Sequence, residues 1–317
     1  MLSYLLLLIL GLTVLWAGAE LLIRNSSTLA RSMGISPVII GLTVISMGTS
    51  LPEFVVSFMA ALQNTMGISI GNIIGSNIAN IGLILGSGAF ISNLEVKKSW
   101  VFKEVPAMIF FTLVFFLFAN TGHIINRFEG SILVIFLFLF LYYLWRSSAQ
   151  EMREFKEFRN ANSNNQISIQ KKLFYLLCIF LGIVLLIGGS KATVSSGVKI
   201  ARALHVSDTV IGLTLIAVGT SLPELATTIV GVLRNETDIV VGNIIGSNIF
   251  NLLFIGGVIP LIRPIPVESS LFVIEFPALL LLSVLVWPLM RVKWNVHRYE
   301  GLLLLVLYFI FLWLAFR

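Results

Sequence analysis

GLTVISMGTSLPE at residues 41–53 and GLTLIAVGTSLPE at 212–224 set two glutamates, Glu53 and Glu224, in matching and strongly apolar frames. The glutamates are 171 residues apart (224 − 53), and the same offset carries GNIIGSNIAN at 71–80 onto GNIIGSNIFN at 242–251 without a gap. It also aligns Glu104 and Pro106 with Glu275 and Pro277, and Arg127 and Glu129-Gly130 with Arg298 and Glu300-Gly301. The chain therefore reads as a duplication, with a first copy at 1–146, a connector at 147–171 and a second copy at 172–317. Two carboxylates in equivalent apolar settings point to a site for a cation.

Hydrophobic residues are 57% of the chain, charged residues only 11%, and the mean hydropathy is +0.99. That leaves too little polar surface to cover a soluble globule of this length, so an integral membrane protein is expected. The single cysteine, Cys178, lies in an apolar run and cannot close an intrachain disulfide. It reads as a small packing residue, and redox chemistry is not expected. The net charge of +6 comes from Lys and Arg beside apolar runs, which topology explains better than nucleic-acid binding.

Crossing the hydrocarbon takes about 20 apolar residues. Such runs occur near 4–23, 37–62, 68–92, 101–120 and 130–146, and again near 173–194, 208–233, 239–262, 271–290 and 301–316. The expectation is an all-α membrane protein of ten transmembrane helices. An odd number of spans per copy turns the second copy over in the bilayer, giving two inverted five-helix repeats with discontinuous helices at the midplane. Lys and Arg test this, because cytoplasmic loops should carry the excess. Fifteen of the 21 fall on the connector side, which makes the connector cytoplasmic and both termini extracellular. The first span follows Met-Leu-Ser-Tyr with no positive segment, so it reads as a span rather than a cleaved signal. The charged, Asn/Ser-rich connector reads as a solvated link, with a short interfacial helix as the alternative.

An ionisable group near the bilayer centre costs roughly 2.5–3.5 kcal/mol on insertion scales, so it persists mainly where a pathway or partner uses it. Of the fifteen Asp and Glu residues, only Glu53 and Glu224 fall in the middle of a span, and no mid-span Lys or Arg neutralises them. A solute cation would supply the missing charge; a protonated carboxyl pair is the alternative. In Gly48-Thr49-Ser50-Leu51-Pro52-Glu53, glycine loosens the helix and proline removes an amide donor, which frees carbonyl oxygens. Thr49 and Ser50 add hydroxyls, and Thr220 and Ser221 repeat them. Carboxylate, carbonyl and hydroxyl oxygens suit hard cations such as calcium or sodium. His123, His205 and His297 lie outside both motifs, so zinc or copper is not expected.

In the second motif Asn72, Ser76 and Asn80 share one helix face, with Gly71 and Gly75 beside them. Small residues alone would signify close helix packing. Packing does not require the amides at 72, 77 and 80 and at 243, 248 and 251, so ligation joins packing in the reading. An intramembrane hydrolase would need a nucleophile with a base or a metal centre. No span pairs Ser with His or carries H-E-x-x-H, so enzyme chemistry and a cofactor are not expected. Glu104 and Glu275, each two residues before a proline at a span start, fit favourable placement at a helix N-terminus better than a gate.

These motifs, in both copies and across essentially the whole chain, resemble the calcium/cation antiporter superfamily in its prokaryotic sodium/calcium exchanger branch. The resemblance implies an antiporter in the cell membrane that exchanges sodium for calcium by alternating access. It implies calcium held by the carboxylates of Glu53 and Glu224 and by backbone oxygens of Thr49 and Thr220. Sodium would use Ser50 and Ser247 on one side, Ser221 and Ser76 on the other, backbone oxygens at Ser46 and Ala217, and Asn80 in the middle. It further implies that spans one and six slide against the rest. The chain departs from the pattern at Asn251, the partner of Asn80, where sodium/calcium exchangers carry aspartate; stoichiometry and potassium dependence therefore stay open. A proton/calcium antiporter is the nearest rival, and a cation channel shares the ligands but not the countertransport.

Overall fold

In hydrocarbon every backbone amide needs an internal partner, so uninterrupted apolar runs resolve as helices. A computed structural model describes residues 2–162, 168–204, 219–292 and 294–315, with side chains described except over 148–162. The first copy opens with α1 (Leu2–Met33), followed by α2 (Pro37–Ile40), a π segment (Gly41–Ile45), α3 (Ser46–Thr49) and α4 (Leu51–Leu62). Next, α5 (Met66–Ala79) continues through a π segment (Asn80–Leu85) into α6 (Gly86–Ile91). The copy closes with α7 (Lys98–Phe102), α8 (Glu104–Asn120) and α9 (Arg127–Asn162). The second copy repeats the plan with α10 (Ile169–Ala203), α11 (Leu222–Leu233), α12 (Thr237–Phe250), a π segment (Asn251–Ile255) and α13 (Gly256–Ile262). It ends with α14 (Glu275–Arg291) and α15 (Arg298–Ala315).

Among the described residues, eight helical segments are long and apolar enough to cross a membrane, or nine if the bent run Pro37–Leu62 counts as one. That run turns by 43° between α3 and α4, the break that the glycine and proline of 48–52 foreshadow. Of the expected span 208–233, residues 208–218 lie outside the described residues, and Gly219–Ser221 with α11 represent the rest. One boundary differs from expectation. Helix α9 does not stop near 146 but runs on to Asn162, through residues 147–162 of the connector. Residues 149–159, AQEMREFKEFR, are mostly good helix formers with neither Gly nor Pro, and the helix ends where Asn and Ser take over.

The two copies interlock rather than sit side by side. Helix α1 packs along α10, and glycines set the separation. Gly11 and Gly18 are carried by the offset onto Gly182 and Gly189. A Cβ on Gly18 would stand 2.8 Å from the Leu186 nitrogen, and one on Gly189 only 2.6 Å from that of Leu15. Helix α6 packs on α15, and its counterpart α13 packs on α9. Four two-residue strands follow the same exchange. β1 (Leu94–Glu95) pairs antiparallel with β4 (Asn295–Val296), and β2 (Ile124–Ile125) with β3 (Ile265–Pro266). The offset carries β1 onto β3 and β2 onto β4, so each pairing is the image of the other. The core lies between the copies, around Phe115, Phe276, Ile73, Ile78 and Ile244, while α1, α9, α10 and α15 turn Leu6, Ile9, Phe138, Phe180 and Phe309 outward. Apolar exposure on that scale suits a lipid solvent.

Candidate cation-binding site

Ser50 and Ser221 sit at equivalent breaks, with φ/ψ of −84°/6° and −87°/7°, and each is followed by a helix whose first turn holds proline and then glutamate. Pro52 has no N–H to give the Gly48 carbonyl, nor has Pro223 for Gly219. The Gly219 carbonyl accepts instead from Ser190 Oγ on α10 at 2.7 Å. Glu53 and Glu224 thus occupy the first turns of α4 and α11, where the partial positive charge of a helix end favours a carboxylate. Each is only 1% exposed.

The carboxylates are bonded across the copies. Ser50 Oγ donates to Glu224 Oε1 at 3.2 Å, and Ser221 Oγ donates to Glu53 Oε1 at 3.3 Å. The Thr49 hydroxyl also bears on Glu224 and the Thr220 hydroxyl on Glu53. Each glutamate is therefore held by the Thr-Ser pair of the other copy. Neither is paired with Lys or Arg among the described residues; the charged group acting on Glu53 is Glu224. Both Oε2 atoms are buried without a hydrogen-bond partner.

The GNIIGSNIAN and GNIIGSNIFN segments carry neutral amides and hydroxyls. Asn80 and Asn251 are each 1% exposed and each opens a π segment, a local widening common at functional positions. In both, the amide oxygen and nitrogen are buried and unpartnered. An unmade buried hydrogen bond costs about 1–3 kcal/mol, so two fully orphaned amides and two half-satisfied carboxylates make up a deficit that a bound cation and its water would relieve. Asn77 and Asn248 each donate back to their own helix, to the carbonyls of Ile73 and Ile244, and keep Oδ1 free. Gly242 and Gly246 press on the run 38–46, where added Cβ atoms would meet the Val38 and Leu42 carbonyls at 2.7 Å. The equivalent neighbours of Gly71 and Gly75 fall within 205–218.

The remaining expected residues divide. Thr49 Oγ1 lies 3.3 Å from Asn243 Oδ1 and 3.5 Å from Ser247 Oγ, so Ser247 joins the cluster. Ser76 is buried on α5. The Ser46 carbonyl already accepts from the Ser50 N–H and from Thr49 Oγ1. Ala217 lies outside the described residues. Two hydroxyls were not singled out from sequence. Ser57 accepts from Asn72 Nδ2 at 2.9 Å, and the same amide donates to the Glu53 carbonyl; Thr227 accepts from Asn243 Nδ2 at 3.2 Å. They stand three or four positions after the glutamates, on the same helix face, and that spacing is the signal that would have found them. Among the described residues no group of three or more His, Cys, Asp or Glu side chains gathers. The acidic ligands on offer are these two glutamates, a donor set for a hard cation.

Helices of this length around a buried, oxygen-lined, acidic centre define a multi-pass membrane transporter of cations. The profile of the family described as "Sodium/calcium exchanger protein" matches residues 3–146 and again 174–317. The chain is similar to the sodium/calcium exchanger MaX1 of Methanosarcina acetivorans, 32% identical with 98% of each chain covered. It is likewise similar to the inner membrane protein YrbG of Escherichia coli, 36% identical over 88% of this chain and 86% of the relative. Among solved structures, the sodium-calcium exchanger NCX_Mj soaked with 10 mM Na+ and 10 mM Sr2+ superposes with a TM-score of 0.82 at 32% identity, covering 98% of this chain and 96% of that one. The chain belongs to the sodium/calcium exchanger family of calcium/cation antiporters, in its prokaryotic branch. It is a transmembrane antiporter for cations, and its relatives are transporters rather than enzymes.

Proposed function

We propose that this chain exchanges sodium for calcium by alternating access, with Glu53 and Glu224 as the shared carboxylates. The observation that carries the reading is their reciprocal bonding to Ser221 and Ser50, with both Oε2 atoms and the Asn80 and Asn251 amides left unpartnered. Calcium would sit between the carboxylates with backbone oxygens of Thr49 and Thr220. Sodium would draw on the flanking hydroxyls of Ser50, Ser76, Ser221 and Ser247, backbone oxygens at Ser46 and Ala217, and the amides of Asn80 and Asn251. With both carboxylates ionised, an empty site holds two unbalanced charges and resists movement through low dielectric, whereas one filled by a calcium ion is neutral. Competition for one site then couples the two ions.

The same reading takes the chain as ten spans in two inverted five-helix repeats, 1–146 and 172–317, joined by a cytoplasmic connector at 147–171, with both termini extracellular. The strand pairings support it. In this topology β1 and β4 both lie on the cytoplasmic side and β2 and β3 both on the outer side, and these are the partners observed. The ion pairs Arg31–Glu236 and Lys97–Asp238 likewise join loops assigned to the cytoplasmic side. The test is radiolabelled calcium uptake by sodium-loaded proteoliposomes diluted into sodium-free buffer. Uptake that needs the outward sodium gradient supports the proposal. Uptake driven by a pH gradient would replace it with proton/calcium exchange, and uptake without any gradient would indicate a channel.

A further inference from the structure

The clearest departure from two-fold equivalence lies away from the cation site, where α1 meets the turn between α11 and α12. Arg31 Nη2 reaches both carboxylate oxygens of Glu236, at 2.8 and 2.9 Å, and Ser27 Oγ donates to the same carboxylate at 2.7 Å. About three helical turns before Arg31 on α1, Glu20 accepts from Arg234 Nε at 2.6 Å and forms an ion pair with its Nη2. The turn presenting Arg234 and Glu236 is rigid. Asn235 takes a left-handed conformation (φ 57°), and the Glu236 N–H is tied to the Gly231 carbonyl at 2.8 Å. Gly231 belongs to α11, the helix that begins beside Glu224. Two ion pairs thus clamp α1 to the far end of the element that carries one of the two central carboxylates.

The offset shows what the other end of the molecule lacks. The equivalent turn at 63–65 keeps the same backbone, with Asn64 at φ 61° and the Thr65 N–H tied to the Ala60 carbonyl at 2.9 Å. Its chemistry is different: Arg234 becomes Gln63, Glu236 becomes Thr65, Glu20 becomes Lys191, Arg31 stays basic as Arg202 and Ser27 becomes Val198. Neither Lys191 with Gln63 nor Arg202 with Thr65 can form an ion pair. The turn's geometry is duplicated, and the acids that pair across it, Glu20 and Glu236, stand only at the α11–α12 end.

We propose that Glu20, Ser27, Arg31, Arg234 and Glu236 form a one-sided latch that holds α1, and with it the glycine-packed α10, against the α11–α12 turn, biasing the antiporter toward the state closed on the connector side. This rests on the alternating-access reading above. Because α1 and α10 meet through backbone at Gly11, Gly18, Gly182 and Gly189, they move as a unit. Their contacts with the broken helices are softer: Gly48 meets the side chain of Ile183, and Gly219 that of Val194. Apart from the hydrogen bond from Ser190 Oγ to the Gly219 carbonyl at 2.7 Å, these are apolar surfaces that slide at little cost. The ion pairs do not, and opening the connector side breaks both.

The test uses the full chain in membrane vesicles of both orientations, reading the half-saturating calcium concentration on each face. Glu20→Gln combined with Glu236→Gln leaves the carboxylates of the cation site intact. The expected result is a fall in half-saturation on the connector face and a rise on the opposite face, each roughly threefold to tenfold, since a weakened latch redistributes one population between two states. Reversing one pair, Glu20→Arg with Arg234→Glu, should bring both values back toward the unaltered protein. The Lys97–Asp238 pair, 2.7 Å, joins the α12 start to the segment before α7 without touching α1, so Asp238→Asn should move neither value. Unchanged values in the double variant, a shift in the same direction on both faces, or an equal effect from Asp238→Asn would each overturn the latch. Absence of sodium-dependent calcium exchange in the unaltered protein would overturn the transport reading beneath it.

Discussion

Replacing Glu53 with glutamine separates the cost of the site from its use. In the ion-free protein Glu53 and Glu224 are both buried, with no Lys or Arg beside them among the described residues, and each faces the charge of the other. Glu53→Gln removes that repulsion and keeps the shape, and the amide can still accept from Ser221. The ion-free variant should therefore be at least as stable as the parent. Calcium binding should suffer, because one of two carboxylates facing a divalent ion is gone; loss of a buried charge partner costs about 2–5 kcal/mol, or on the order of 100-fold in Kd. At calcium 100 times the parental Kd, binding stabilises the parent by about 2.7 kcal/mol, whereas a 100-fold weaker variant gains only about 0.4 kcal/mol. Thermal unfolding in detergent, with and without calcium, reads both numbers. Equal calcium stabilisation in parent and variant would refute the assignment of Glu53, and a variant that unfolds more easily without calcium would refute the repulsion argument.

Ser50→Ala and Ser221→Ala each delete a hydroxyl that donates to a buried carboxylate of the other copy; with charge-assisted bonds worth about 1.5–3 kcal/mol, sodium half-saturation should rise roughly tenfold in either, measured by sodium-dependent calcium flux. Asn251→Asp should remain folded and shift the preference between sodium and calcium, because it adds a third acid in place of one of the two orphaned amides; unchanged affinities for both ions in equilibrium binding would remove Asn251 from the site. Gly18→Ala would force a methyl to within 2.8 Å of the Leu186 backbone, and the resulting overpacking should cost about 1–3 kcal/mol in detergent unfolding while Gly188→Ala, with nothing within 4 Å among the described residues, should cost little.

What the sequence discloses follows from where its signals are local. The 171-residue offset exposes Glu53 and Glu224 as equivalents, and glycine and proline mark the break at Ser50, because each acts on its own backbone. Three features escape such reading. The π segments at Asn80 and Asn251 arise from a one-residue shift in hydrogen bonding that leaves no trace in composition. The bonding of Ser50 to Glu224 depends on the copies interlocking, which periodicity does not reveal. Strand pairs of two residues are too short to carry an alternating pattern, so β1 with β4 and β2 with β3 emerge only from the fold. The extension of α9 to Asn162 was half visible: its helix formers are evident, yet their charge reads equally well as a solvated link.

The most direct test of sodium–calcium coupling through Glu53 and Glu224 follows both ions at once. Proteoliposomes loaded with radiolabelled sodium are diluted into calcium of a second label, and sodium exit and calcium entry are recorded together. The account predicts that sodium leaves only as calcium enters, and that both fluxes vanish in Glu224→Gln. Calcium entering without sodium leaving, or coupled flux persisting in that variant, would contradict it.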